Sequence, residues 1–590
     1  MANEDESVWA VHNGEIFNFV ELRAELERLG HRFRSRSDTE AIVHAYEEYG
    51  ERFVERLNGQ FAIALWDVRR QRLVLARDRV GVRPLFYTRS RGLWLFASEI
   101  KAILAVAPEA AVLDELGLAQ IFTFWTTVGQ RTAFKTVRSL PPGHLLVLEQ
   151  GVERLERYWD WTFPVGSGRS DLSMEEAGQA LRALLLDAVR LQLRSDVPVG
   201  VYLSGGLDSC GVAALAAEAR AEKLRSFSIT FEDPEFDESA YQRTMAEHLG
   251  AQHTSFHCSY RDIGNAFPNL IWHTETPLLR TAAAPLMLLS RHVRDSGYKV
   301  VLTGEGADEV FGGYDLFKEG KIRRFWAKQP RSRWRPLLLA RLYPYLAHSP
   351  VANRHFAQRF FGQRLEELDN PFYAHLTRWT VTRGIFKILS PELRAVLETA
   401  RPEEELEAQL PSGFETWDEL GRAQYVEIKT LLQGYLLSSQ GDRASMANSV
   451  EGRVPYLDHR VIELVNGLSP RYKLRGLREK VLLRRALAGL VPERILTRAK
   501  QPYRAPECRS FFESGKPLPY VEELTSASSL RRTGYFDPAA VGHLLEKCRS
   551  GRALGAADNM AFVGMLSTLL LHERFLRGNA AVTGKSGAWH

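Results

Sequence analysis

The feature that most constrains this chain is a change to regular strand–helix alternation at about residue 174. Met174–Leu193 has helical apolar spacing, Val197–Leu203 reads as a buried strand, and Cys210–Arg220 reads as a helix. Ser226–Phe231 predicts the next strand, Ser239–Leu249 a helix and Lys299–Thr303 a further strand. Strands that alternate with helices pair in parallel, because each helix carries the chain back over one face of the sheet. The pattern therefore predicts a doubly wound parallel sheet. From about Leu316 the chain reads as mostly helical.

The first 150 residues are organised differently. Ser7–His12 is a short strand run ending in the turn Asn13-Gly14, and Phe19–Leu29 is one early helix stopped by Gly30. Phe61–Trp66, Arg72–Ala76, Leu85–Thr88, Leu93–Ala97 and Leu145–Leu148 are short strands between polar turns. Gly166–Asp171 is the linker by composition. The expected layout is a first domain over 1–150, a linker over 151–172 and a second domain over 173–590.

The chain has 590 residues, too many for one core. With 45% hydrophobic and 25% charged residues it has the balance of an ordinary globular protein. The net charge is only +5, with no dense basic run interleaved with aromatics, so no nucleic-acid partner is expected. Lys318–Arg335, the most basic stretch, reads as a solvated helical face. Cys210, Cys258, Cys508 and Cys548 form no CxxC pair, which argues against a zinc centre or a disulfide framework and for a reducing compartment. The polar start at Met1–Val8 is no signal peptide, and no apolar run reaches the ~18 residues of a membrane span. A cytoplasmic protein without a membrane partner is expected.

The strand Val197–Leu203 runs straight into Ser204-Gly205-Gly206-Leu207-Asp208-Ser209. Adjacent glycines allow a tight path that points successive N–H groups at one spot, and the next helix adds its positive end. Such a loop suits a pyrophosphate, with the Ser204 and Ser209 hydroxyls as further donors. Asp208 would repel a bare phosphate and makes sense as a ligand of a bridging Mg²⁺. A lone Ser-Gly-Gly is as often a plain turn; the whole hexapeptide in this setting is more specific. The lysine of a Walker A loop is missing. A second strand, Lys299–Thr303, opens into Gly304-Glu305-Gly306-Ala307-Asp308-Glu309 and Phe311-Gly312-Gly313-Tyr314. Asp308 is the natural Mg²⁺ partner of Asp208.

SGGLDS resembles the pyrophosphate loop of the N-type ATP pyrophosphatases, and GEGADEVFGGY resembles the second signature of the asparagine synthetase family and its relative β-lactam synthetase. The resemblance implies cleavage of ATP between the α and β phosphates, with the acceptor carboxylate becoming an acyl adenylate. It places Leu203, Ile229, Thr303 and Gly304 against AMP and gives Glu305 a role in forming β-aspartyl-AMP. Thr303 stands where the family more often has Ser. Gln440–Arg443 and Ser449–Asp458 resemble the family run that ends in a variant of EARVPFLD, with Gly452 for the commoner Ala. Arg498–Pro502 resembles the loop whose lysine, here Lys500, offsets charge on the reacting phosphorus. Lys480, in an Arg-rich helix, is expected to face solvent.

Asn13–Asn18 resembles the NGEIYN segment of class II glutamine amidotransferases. By that resemblance Asn13 and Gly14 form an oxyanion hole, Glu15 lies beside bound glutamine, and Asp38 holds its α-ammonium group. The family's nucleophile is an N-terminal Cys in a Met-Cys-Gly start, whereas this chain begins Met-Ala-Asn-Glu. The resemblance therefore implies a partial αββα glutaminase domain of the Ntn type, lacking its opening segment. All four cysteines lie in the later domain without a free α-amine. The chain as written is expected to use free ammonia, and a mis-assigned start is favoured over a vestigial domain.

The expected reaction joins aspartate and ammonia at the expense of ATP, with Mg²⁺, and releases AMP and pyrophosphate. A homodimer is an allowed assembly. The rivals are the same adenylation of another carboxylate, and a degenerate scaffold. Leu278–Ala282 lies where a substrate loop is expected, and Arg280 there is placed to pair with a carboxylate as readily as to serve structure. The scaffold reading is disfavoured because Asp208, Asp308, Glu305 and Lys500 are all present.

Overall fold

The structure is a computed structural model that describes residues 1–220, 222–344, 351–550 and 555–577. Its first part holds eight strands: β1 (Val8–Ile16), β2 (Gly59–Asp67), β3 (Arg72–Arg77), β4 (Phe86–Ser90), β5 (Leu93–Ala97), β6 (Arg138–Ser139), β7 (His144–Glu149) and β8 (Val152–Arg157). They form an antiparallel five-stranded sheet, β1-β2-β3-β7-β8, and a three-stranded sheet, β5-β4-β6. Strand alternation explains how the layers stack. Ile63, Leu65, Val74, Ala76, Leu145 and Val147 face one way and pack on the helices Phe19–Arg28 and Asp38–Tyr49. Their neighbours Ala62, Ala64, Leu75, Leu146 and Leu148 face the other way, against Leu85 and against Tyr87 and Trp94 of the second sheet. The result is the αββα layering that the resemblance implies.

Three expectations for this region change. Asn13 and Gly14 do not turn; they lie within β1, opposite Ala62 and Phe61 of β2. Pairing over nine residues overrides the local turn preference of Asn-Gly. A second early helix, Asp38–Tyr49, is present because Ser37 caps its start by accepting from the Thr39 N–H. The boundary at 151 moves, since β8 (152–157) completes the first sheet by pairing with β7.

The second part carries β9 (Val199–Tyr202), β10 (Arg225–Phe231), β11 (Gln252–Cys258), β12 (Val300–Leu302) and β13 (Glu451–Arg453). All pairs are parallel, in the order β11-β10-β9-β12-β13. The chain order reverses between β9 and β12, and ligands of such sheets bind at the carboxyl ends of strands at that switch point. Both glycine-rich loops leave the sheet there. The helix Met174–Gln192 begins with a capping box from Ser173 and Glu176 and buries Leu181, Leu185 and Val189.

Lys318–Arg335 is a solvated face only in part: Lys321, Lys328, Arg331 and Arg333 are exposed. Within the helix Asp315–Ala327, Lys318 and Arg323 are buried. Arg323 donates to the carbonyls of Phe361, Tyr373 and Gln363 at 2.9–3.0 Å, and Lys318 pairs with Asp315 and Glu479 at 2.9 and 2.8 Å. Buried partners, invisible in local sequence, satisfy these cations. Among the described residues no helix is long and apolar enough to cross a membrane.

Candidate active site

Leu203 ends the strand run with its N–H donating to the Phe227 carbonyl at 2.9 Å, and its own carbonyl accepts from the Ser228 hydroxyl. The chain then turns through Gly205, whose φ of +81° lies in the region that glycine favours. Ser209 closes the loop on itself. Its hydroxyl accepts from the Ser204 N–H at 3.0 Å and lies 2.8 Å from the Ser204 hydroxyl. Helix Leu207–Ala219 starts at Gly206 with no side-chain cap, so its first N–H groups face the loop.

The loop after β12 presses against this one. A Cβ on Gly304 would lie 2.9 Å from the Ser209 nitrogen, so only glycine allows the approach. Thr303 donates its N–H to the Arg453 carbonyl at 2.8 Å, while its buried hydroxyl has no hydrogen-bond partner. Ile229, buried on β10, lies in the same neighbourhood of the sheet; its carbonyl accepts from Gln242 at 2.9 Å.

Asp208 and Asp308 face each other across two ammonium groups. Lys500 Nζ is 2.5 Å from Asp308 Oδ2 and 3.3 Å from Asp208 Oδ2. Lys480 Nζ sits 2.6 Å from both oxygens of Asp208 and 2.6 Å from Asp308 Oδ1. Lys480 was expected in solvent, yet its side chain is 1% exposed. The correction has a physical cause: two buried carboxylates need compensating charge, and one lysine cannot supply it. Gly313 makes room, since a Cβ there would lie 2.0 Å from Asp308 Oδ1 and 2.2 Å from Lys480 Cε.

The charges tune one another. Burial works against an ionised Asp208, but Lys480 and Lys500 together hold its carboxyl below the ordinary value. Burial likewise works against a charged Lys500, and Asp308 and Asp208 reverse that and push it up. Glu305 gains less help: burial pushes it up to about 7 despite Lys500, and Asp308 and Asp208 add to the rise. Glu309 is pushed up to about 8 by burial and by Asp308, and Tyr314 donates to it at 2.7 Å.

A divalent ion fits this donor set. Asp208 and Asp308 offer only carboxylate oxygens, the ligands of hard cations. Both carboxylates are ion-paired with Lys480 and Lys500, so a bound ion would share them with the two ammonium groups.

The residues read as glutamine-binding also converge. Asn13 Nδ2 donates to the Ser98 hydroxyl at 2.9 Å, and Asp38 accepts from the Ile16 N–H at 2.9 Å. Gly14, at φ +139°, passes so close to β2 that a Cβ would lie 1.9 Å from the Gln60 carbonyl oxygen. Glu15 lies 3.2 Å from Arg453, which comes from the second part of the chain. Burial pushes Glu15 up to about 7 against the pull of Arg453, with Asp38 and Glu451 adding to the rise.

Sequence reasoning missed the residues that join the two sites. Arg453, fully buried at the end of β13, donates to the carbonyls of Gln192 and Arg194 at 2.8 and 2.6 Å and to Glu451 at 2.6 Å. Arg443 pairs with Glu275, whose carboxylate also accepts from the Ile100 and Lys101 N–H groups at 2.8 Å. Arg83 pairs with Asp442 and, at 3.0 Å, with Glu451. The only sequence signal was the family-like run that contains Asp442, Arg443 and Arg453. A cavity of 870 Å³ lies along this seam, lined by Asp114, Arg131, Glu275, Glu405 and Lys429 among others. It contains none of the carboxylates of the Asp208–Asp308 cluster, so volume and chemistry mark different places, and the candidate active site is taken from the chemistry.

Residues 180–573 match the asparagine synthase family, and residues 1–159 match the glutamine amidotransferase domain. The chain is 32% identical to amidase chyE of Penicillium rubens, over 92% of this chain and 84% of that protein. It is 33% identical to asparagine synthetase [glutamine-hydrolyzing] 3 of Bacillus subtilis, over 84% of this chain and 75% of the relative. A solved glutamine phosphoribosylpyrophosphate amidotransferase from B. subtilis covers 44% of the chain at 16% identity, with a TM-score of 0.21 too low to carry weight. The fold and these matches define the class: a carbon–nitrogen ligase of a family that uses ATP. The chain belongs to the asparagine synthase family, and it is a carbon–nitrogen ligase.

Proposed function

We propose that this protein amidates aspartate to asparagine through β-aspartyl-AMP. The observation that carries the reading is the Asp208–Lys480–Asp308–Lys500 cluster at the switch point, with Glu305 beside it. The loop Ser204–Ser209 would bind the pyrophosphate end of ATP through N–H groups and serine hydroxyls, while Leu203, Ile229, Thr303 and Gly304 would line the adenosine end. Asp208 and Asp308 would hold Mg²⁺, which when bound supplies positive charge for the triphosphate.

Attack of the aspartate β-carboxylate on the α-phosphorus forms the acyl–phosphate bond and breaks the α–β bridge, releasing pyrophosphate. Lys500, already charged at neutral pH, would stabilise the oxygens of the five-coordinate phosphorus. Lys480 would keep the two aspartates aligned as the charge rearranges. Ammonia then attacks the acyl carbon and AMP leaves. Glu305, pushed up to about 7 by burial, would take the proton that the attacking nitrogen must lose. The same chemistry on another carboxylate is the second reading, favoured by Arg280 in the expected substrate loop.

Pyrophosphate release from purified protein with Mg-ATP, aspartate and either ammonium or glutamine tests the proposal. Asparagine, AMP and pyrophosphate in equal amounts support it. Pyrophosphate release with other carboxylates and none with aspartate removes aspartate as the acceptor.

A further inference from the structure

Outside both sites described above, two histidines of the first part meet. His44 sits on the helix Asp38–Tyr49, and His31 follows the end of the helix Phe19–Arg28. Their ring centroids lie 5.1 Å apart at an inclination of 52°, and Phe33 packs on the His44 ring at 4.6 Å. Both rings turn the same atom towards one carboxylate oxygen. Glu47 Oε2 lies 2.8 Å from His44 Nδ1 and 3.7 Å from His31 Nδ1. One ligand atom from each of the three residues lies within 4.8 Å of the other two. A tetrahedral ion with bonds of about 2.0–2.1 Å spaces its ligand atoms about 3.3 Å apart, between the two distances to Glu47.

The outer nitrogens are arranged as ligand histidines need. His31 Nε2 is 3.2 Å from Glu48 Oε2, and His44 Nε2 faces Glu40 Oε1 at 3.9 Å. A carboxylate at the far nitrogen keeps the proton there and leaves the lone pair on Nδ1 for a metal. Glu40 is fixed in place by accepting from the Arg34 and Ser35 N–H groups at 2.6 and 2.7 Å. Glu47 is fixed through its other oxygen, which accepts from Asn3 Nδ2 at 2.7 Å and leaves Oε2 turned to the histidines.

The cluster does not satisfy itself. His44 is 1% exposed, and its Nε2 has no hydrogen-bond partner. A neutral ring with its proton on Nε2 sets a lone pair against Glu47, and moving the proton to Nδ1 sets one against Glu40. An imidazolium or a metal ion relieves the conflict, and only the metal ion engages His31 as well.

We propose that His31, His44 and Glu47 form a site for one divalent cation of the zinc class, bound through both Nδ1 atoms and Glu47 Oε2. Imidazole nitrogens select such ions over Mg²⁺, which takes oxygen ligands, so this site differs in chemistry from the Asp208–Asp308 pair. Water completes the tetrahedron, beside Glu4 Oε2 at 3.9 Å from His44 Nδ1. The His31 and Glu47 side chains are 16% and 25% exposed, which gives the ion a way in. Cysteine spacing argued against a zinc centre; this one needs no cysteine and is assembled by the fold. The ion pins His31 and the segment that holds Glu47 through Asn3 to the helix that begins at Asp38. Its role is structural, and the inference does not depend on the amidation reading.

Equilibrium dialysis of the full chain against zinc in excess Mg²⁺ reads this site without interference from the Asp208–Asp308 pair. The wild type should hold one zinc per chain and rise in melting temperature when zinc is added. His31→Gln and Glu47→Gln should each lower zinc affinity at least tenfold to a hundredfold, the loss typical of removing only a ligand's outer partner. His31→Gln should keep the metal-free melting temperature of the wild type and lose the rise with zinc. His31→Cys should keep zinc and, loaded with Co²⁺, add thiolate-to-metal absorption in the near ultraviolet. A plain imidazolium–carboxylate pair predicts no retained zinc, and that result overturns the inference. Equal zinc affinities in the wild type, His31→Gln and Glu47→Gln overturn it too, as does a cobalt spectrum of His31→Cys without the thiolate band.

Discussion

At the scale of single residues the account rests on charge balance. Lys480 and Lys500 both contact Asp208 and Asp308, but their roles are separable. Lys500→Met should lower kcat by about two to three orders of magnitude, the usual effect of removing one transition-state charge, with little change in melting temperature. Lys480→Met removes the more deeply buried ammonium and leaves two carboxylates in mutual repulsion. It should lower both stability and activity, with destabilisation of about 3–5 kcal/mol read from denaturant unfolding. Equal melting temperatures for the two variants would contradict this division. Gly313→Ala is a sharper probe, because its Cβ would meet Asp308 Oδ1 at 2.0 Å. It should abolish pyrophosphate release while circular dichroism stays that of the wild type.

At the scale of elements, the helix Glu419–Glu427 packs beside the second glycine-rich loop, where Gln424 donates to the Glu309 and Val310 carbonyls, and it continues into the helical segment Ile428–Asp442. Glu427 is fully buried between His375 at 2.9 Å and Arg378. Burial opposes its charge, but Arg378 and His375 hold its carboxyl down at about 2, against an ordinary value of 4.5. The depressed value means that Glu427 contributes stability above pH 4.5 and that this contribution is lost as pH falls from 4.5 towards 2. Glu427→Gln should therefore flatten the acid limb of the stability curve. At neutral pH it should cost about 3–5 kcal/mol, because the Arg378 guanidinium loses its carboxylate partner. An acid limb unchanged by the substitution would show that other carboxylates control it.

The elements also show what the sequence could reveal. β9, β10, β12 and both glycine-rich loops were legible because their signals are local: β-branched apolar runs and glycines at fixed offsets. β13 was not, since Glu451–Arg453 becomes a strand only by pairing with β12, about 150 residues earlier in the chain. Asn13-Gly14 read as a turn because the pairing that straightens it comes from β2, which follows much later. Lys480 and Lys318 read as surface residues for the same reason. Their counter-charges, Asp208, Asp308 and Glu479, are set by tertiary structure. Asp208, Asp308 and Glu305 were found because they sit within the loops themselves.

At the scale of the whole molecule, the two sites are held in one frame by buried arginines. Arg453 pairs with Glu15 on one side and its carbonyl accepts from the Thr303 N–H on the other, while Arg443 pairs with Glu275 and donates to the Ser98 carbonyl of the first part. Arg453→Lys keeps the charge but cannot reproduce four separate hydrogen-bond partners. It should lower stability, read as a lower denaturant midpoint, and an unchanged midpoint would show that the seam carries little of the fold. The central claim is that ATP is cleaved between α and β to form an acyl adenylate. Its most direct test uses aspartate labelled with oxygen-18 in the β-carboxylate, followed by phosphorus NMR of the products. The account predicts the label in AMP and none in pyrophosphate; label in inorganic phosphate, with ADP formed, would contradict it.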